Sequence, residues 1–107
     1  MRITHTLIDR RCLALHEAVA EKLRRDVRLI DVARDNLRRW TEVNGTLLPA
    51  LREWQSLLDT RSAEEIVSLL IDPGEEAARL RQSSPFGGIL SEDERLAILK
   101  RHEPQAA

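Results

Sequence analysis

At 107 residues, 42% of them apolar and 33% charged, the chain is long enough for one modest core and too apolar for a disordered segment. Only 3% of the residues are aromatic, so that core must be built from Leu, Ile, Val and Ala. One cysteine, Cys12, excludes an intramolecular disulfide and a cysteine-based zinc site.

The net charge of −1 hides an uneven distribution. Residues 1–40 hold 10 Lys/Arg against 6 Asp/Glu, a net of +4, whereas residues 41–107 hold 7 against 12, a net of −5. Such asymmetry points to a charged partner or simply to a solvated surface of mixed charge. The opening "MRITHTLIDRR" has no long apolar run, so no signal peptide is expected. No stretch approaches the ~18 apolar residues of a membrane-spanning helix. With a single thiol, the expected compartment is the reducing cytoplasm.

Taken in chain order, the apolar spacing predicts helices throughout. Thr6-Leu7-Ile8-Asp9 has the form of a capping box, and Ile8, Cys12, Leu15, Val19 and Leu23 recur every three or four residues behind it. The first helix is therefore expected over about residues 7–25. Asp26 is the expected cap of a second helix, with Leu29 or Ile30, Ala33, Leu37 and Trp40 on its buried face, ended by Asn44-Gly45. Thr46 is expected to open a third helix, with Pro49 in its first turn and Leu47, Leu51, Trp54 and Leu58 as its stripe. Ser62-Ala63-Glu64-Glu65 is a second capping box, opening a short helix through Ile66, Leu69 and Leu70. Asp72-Pro73-Gly74 predicts another start, with Asp as cap and Pro at the first helical position, for a helix ending near Ser83. Ser91-Glu92-Asp93-Glu94 is a third capping box, before Leu96, Ile98 and Leu99. No period-2 alternation or hairpin signal is present.

The predicted fold is all-α, a single-domain bundle of five or six helices over residues 1–102, three longer ones followed by shorter ones. Residues 103–107 are expected to form a frayed tail.

Catalytic signals are weak. Cys12 and His16 lie four apart on one helix, but a metal site needs three or four ligands. The expected arrangement is a buried cysteine beside a surface histidine. The four glycines form no phosphate-cradling motif, and Glu64-Glu65 and Glu75-Glu76 are first-turn residues that complement helix dipoles. No cofactor, metal or catalytic group is assigned, and the chain is expected to be non-enzymatic.

Two interaction readings remain. Lys22, Arg24, Arg25 and Arg28, followed by Arg34, Arg38 and Arg39, form a basic run suited to phosphates and make residues 22–39 a candidate nucleic-acid surface. The other candidate is the segment from Arg79 to Leu90. Arg79 and Arg81 supply forked donors, Gln82, Ser83 and Ser84 small polar groups, and Phe86 an aromatic anchor beside the bendable Gly87-Gly88. The plainer reading is a joint that tucks Phe86, Ile89 and Leu90 into the core, with Leu90 poised to staple onto Arg95-Leu96.

The combination of "RLRQSSPFGGILSEDERLAILKR" (79–101), "IDRRCLALHEAVAEKLR" (8–24) and "LREWQSLLD" (51–59) resembles a group of small all-helical bacterial antitoxins. These are the small partners of nucleotidyltransferase-like toxins in toxin–antitoxin gene pairs. The resemblance spans most of the chain, and its distinctive part is Arg79–Arg95. It implies a cytoplasmic protein that binds and neutralises a toxin-like enzyme, with Arg79, Arg81, Gln82, Ser83, Ser84 and Phe86 as candidate partner-binding residues. The rivals are direct nucleic-acid binding through residues 22–39 and a structural homo-oligomeric bundle.

Overall fold

The computed structural model describes residues 2–102, with side chains from residue 8 onward. The expected tail at 103–107 lies outside the described residues. Six α-helices follow in order: α1 (Arg2–Arg25), α2 (Ile30–Asn44), α3 (Pro49–Thr60), α4 (Ala63–Ile71), α5 (Glu75–Arg81) and α6 (Glu92–Arg101). A short 3₁₀ turn at Val27–Leu29 joins α1 to α2. Among the described residues there is no strand, and no helix is long and apolar enough to cross a membrane. The all-α bundle, with its longer helices first, is as the periodicity predicts.

The helix ends show which local signals held. Ser62 and Ser91 each accept from the amide three residues on, and Glu65 and Glu94 bond back to the cap amides, so both capping boxes form in full. Asp26 caps the 3₁₀ turn by accepting from the Arg28 amide at 3.2 Å. Gly45 closes α2 at φ 77°, a left-handed conformation that only glycine enters without steric cost.

Three expected starts are corrected. α1 begins at Arg2, so Thr6–Asp9 lies inside the helix rather than at its boundary. α3 begins at Pro49 with Leu48 as its extended cap residue, and Thr46 instead accepts from Arg52 at 2.9 Å. α5 begins at Glu75 after Gly74. Asp72 ends α4 and turns its carboxylate onto the Gly74 amide at 2.7 Å, a local side-chain turn that competes with capping.

α1 is the axle. It packs mainly on α4 and also touches α5 and α6, while α2 pairs with α3. Its 24 residues make a rod of roughly 36 Å at 1.5 Å per residue, which accounts for the elongated 45 × 31 × 26 Å outline. Val19, Ala20 and Leu23 on α1 are buried, while Ile8 on the same stripe is half exposed. The core gathers these with Ile30, Ala33, Leu37, Leu58, Ile66 and Leu70 around a fully buried Trp54. On α6, Ile98 is buried, while Leu96, two residues away and on another face, is half exposed.

Candidate interaction surface

Between α5 and α6 the chain crosses the bundle as a strap, residues 82–90. The Leu80 carbonyl just before it accepts from Trp54 Nε1 at 2.8 Å. Asn36 on α2 donates to both Pro85 O (2.8 Å) and Gly87 O (2.9 Å). Lys22 on α1 donates to Ile89 O at 3.2 Å and pairs with Glu94 at 2.5 Å. Phe86 meets Trp54 edge to face, with centroids 5.4 Å apart and rings at 80°. Pro85, Phe86 and Ile89 are buried.

This corrects the expectation that Arg81 and Phe86 present themselves to a partner. Phe86 is a core residue. Arg81 is 4% exposed, and its Nη1 donates to Leu69 O (3.3 Å), Leu70 O (3.3 Å) and Asp72 O (2.6 Å), carbonyls at the end of α4. A cation placed there answers the negative end of the helix dipole. Arg79, two residues away, lies on the surface and bonds Glu53 (2.9 and 3.1 Å) and Glu76. Those two carboxylates hold its guanidinium in the charged form, and Arg79 in turn holds both carboxyls below their usual range. Of the candidate residues in this segment, Gln82 is exposed and Ser83 and Ser84 are half exposed.

Those three line a groove of about 640 Å³ with Trp40, Leu47, Leu48 and Leu51. Its floor is apolar, and Gln82, Ser83, Ser84, Asn44 and Thr46 are its polar edge. Leu48 at its rim is 70% exposed, and Val43, on the adjoining end of α2, is 81% exposed. Sequence periodicity did not single out this groove. Leu47 and Trp40 were read as core stripe, and the exposure of Leu48 follows from its place as the extended residue before Pro49.

The basic run extends from the end of α1 along α2, and its charges are engaged locally. Arg24 and Arg25 pair with Glu21, Arg28 with Asp26, Arg34 with Asp31 and Arg38 with Asp35. Lys22 is held by Glu94, and Arg39 bonds Asn36 Oδ1. Residues 21–39 carry seven basic and four acidic side chains, a net of +3. Such exposed pairs are individually worth about 0–1 kcal/mol, so they dilute a phosphate-binding field more than they abolish it.

The Cys12–His16 pair reverses its expected burial. His16 is 7% exposed, and Cys12 is half-buried. His16 Nδ1 lies 2.7 Å from Cys12 O and 3.6 Å from Cys12 Sγ. Burial lowers the His16 pKa, the bond to Cys12 O opposes that, and the Arg81 charge lowers it further. Burial pushes the Cys12 thiol up, which makes it a poor nucleophile. Among the described residues no cluster of three or more His, Cys, Asp or Glu is placed to hold a metal ion.

Compared with protein-family models, curated proteins and solved structures, the chain matches none.

Proposed function

We propose that this chain is a non-enzymatic interaction module that takes apolar side chains of a protein partner into the groove between α2, α3 and the strap. The partner is the toxin-like enzyme that the antitoxin resemblance implies, met in the cytoplasm. The observation that carries the reading is the exposure of Leu48 and Val43 beside a groove floored by Trp40, Leu47 and Leu51. Single exposed apolar residues are ordinary on protein surfaces. Leu48 at the rim of an apolar groove that contains an aromatic, edged by small polar groups and with exposed Val43 close by in sequence, has the make-up of a binding hot spot. Gln82, Ser83 and Ser84 then serve as the polar rim.

Substituting Arg81 or Phe86 would report on folding. The informative variant is Leu48→Asp, because Leu48 is exposed and its loss leaves the core intact. The tagged chain is recovered from its native cells with nuclease treatment, and the recovered partner is then expressed alone. One stoichiometric protein that survives nuclease, is lost with Leu48→Asp and arrests growth unless this chain is co-expressed is the expected result. Equal recovery by Leu48→Asp, or a partner without effect on growth, overturns the proposal. Recovery of the chain alone, with a melting temperature that rises with concentration, assigns the groove to a second copy instead.

A further inference from the structure

On the other side of the strap lies a second cleft, of about 280 Å³, reaching from α1 to Arg95 on α6. Its polar lining is His16, Arg81, Gln82, Ser84 and Arg95, and among the described residues no carboxylate lines it. Arg81 is 4% exposed, and among the described residues no carboxylate pairs with it. Only Nη1 carries its contacts to the α4 carbonyls. Its Nε is sealed from solvent without an acceptor, whereas its Nη2 is not sealed and has no acceptor among the described residues. A guanidinium N–H that is not otherwise bonded is a charged donor suited to an oxyanion oxygen. Nη2 is the nitrogen left for the cleft here. A buried cation without counter-charge is costly, and the carbonyl dipoles of α4 compensate only part of it.

We propose that this cleft binds a small molecule through its oxyanion group, a carboxylate, sulfate or phosphate, held on the Nη2 of Arg81. The volume lies below the ~300–1,000 Å³ of pockets that take drug-sized ligands, so the ligand is a small acid. Ser84 and Gln82 supply uncharged donors. Arg95 adds a second guanidinium, already bonded on one side to Glu92 at 2.9 and 3.2 Å.

His16 makes the binding sensitive to pH. A carbonyl only accepts, so Nδ1–H is the donor to Cys12 O and Nε2 is the atom left for the cleft. Neutral, Nε2 is an acceptor and does not favour an anion. Protonated, it is another donor. The groups that bear on His16 are Cys12 on its own helix, Arg81 on α5 and Arg95 on α6, with Glu92 behind Arg95. An anion on Arg81 cancels the push of that charge on the imidazole, so binding takes up a proton and tightens as pH falls. The inference does not depend on the apolar groove, although Gln82 and Ser84 border both.

The test is an NMR titration of the full ¹⁵N-labelled chain with sodium sulfate, against sodium chloride at equal ionic strength, following the Ser84, Gly87 and Gly88 amides and the Arg81 Nε–H. Sulfate keeps its charge across about pH 5–8, so a pH effect there reports on the protein. The expected result is saturable shifts with sulfate and none with chloride, with tighter binding at the lower pH. Arg81→Lys keeps a charge, but one ammonium cannot both hold the α4 carbonyls and reach the cleft, so it should weaken binding about tenfold, the loss of one charge-assisted hydrogen bond. Because Arg81 also ties α4, a second variant, His16→Gln, guards against misfolding and should flatten the pH dependence. Arg79→Gln, on the same helix but outside the cleft, and Leu48→Asp, in the groove, should leave the titration unchanged. Shifts that grow linearly and equally with both salts overturn the proposal, as does saturation unaltered in a folded Arg81→Lys.

Discussion

The corner at Asn44–Leu48 and the strap at 82–90 are both connections built from turn residues, yet they are held differently. The strap region is gripped by side chains from three helices, Lys22 on α1, Asn36 on α2 and Trp54 on α3, the last through the Leu80 carbonyl. The corner is held by the left-handed turn at Gly45 and by a surface bond from Arg52 to Thr46. The strap buries Pro85, Phe86 and Ile89, while the corner buries Leu47 but leaves Leu48 exposed, along with Val43 at the end of α2. A loop's composition alone does not say whether it is a joint or a surface. What decides is whether buried donors reach its carbonyls, because a covered backbone group must find a partner.

The sharpest way to break this contrast is at Trp54. Removing it takes away a fully buried ring, its hydrogen bond to Leu80 O and the edge-to-face contact with Phe86. Trp54→Ala should destabilise the protein by about 3–5 kcal/mol in urea unfolding. Next is Asn36→Ala, which strips Pro85 O and Gly87 O of their donor and should cost about 1–3 kcal/mol. Its hydrogen-exchange signature should be confined to the strap; protection lost evenly across all helices would mean that Asn36 is not a strap-specific tie.

At the corner, Gly45→Ala should cost about 1–2 kcal/mol. A Cβ there meets nothing within 4 Å, so the effect comes from the positive φ alone and should appear in thermal melts as a modest loss.

A smaller effect is set by pH. Lys22 first, and the Ser91 amide after it, hold the Glu94 carboxyl down to about 2 from an ordinary 4.5. A carboxylate whose pKa is depressed on folding stabilises the native state above its unfolded pKa. That stabilisation fades as pH falls from about 4.5 through about 2. Lys22→Met should therefore lower stability at neutral pH and approach wild type at the acid end, as read by acid titration followed by circular dichroism. A constant difference at all pH values would place the role of Lys22 in its bond to Ile89 O instead. Smallest is Leu48→Ala, within about 0.5 kcal/mol of wild type in the same melts, the expectation for a surface position. A larger loss would mean that the corner is packed after all.

Much of the fold was legible in the sequence because helical periodicity and capping chemistry are local. The serine boxes at 62 and 91 and the stop at Gly45 need only neighbours in sequence. Where two local signals competed, the reading slipped. Asp72 turned onto Gly74 rather than starting α5, and Thr46 lost its cap to the extended Leu48-Pro49. Less of the candidate site could be read. Asn36 looked like one more polar residue on α2, and only the fold brings it under Pro85, 49 positions away. Arg79 and Arg81, equivalent as forked donors, part because helix geometry turns one toward solvent and the other onto the end of α4.

The sequence by itself determined an all-helical chain, the approximate length of each helix and the apolar stripes that must be covered, because each depends on the 3.6-residue period and on first-turn chemistry. Only the tertiary structure decided which polar groups went inside. Burial of His16, Asn36 and Arg81 depends on carbonyls and side chains that long-range packing supplies, and no local pattern encodes where those partners will lie.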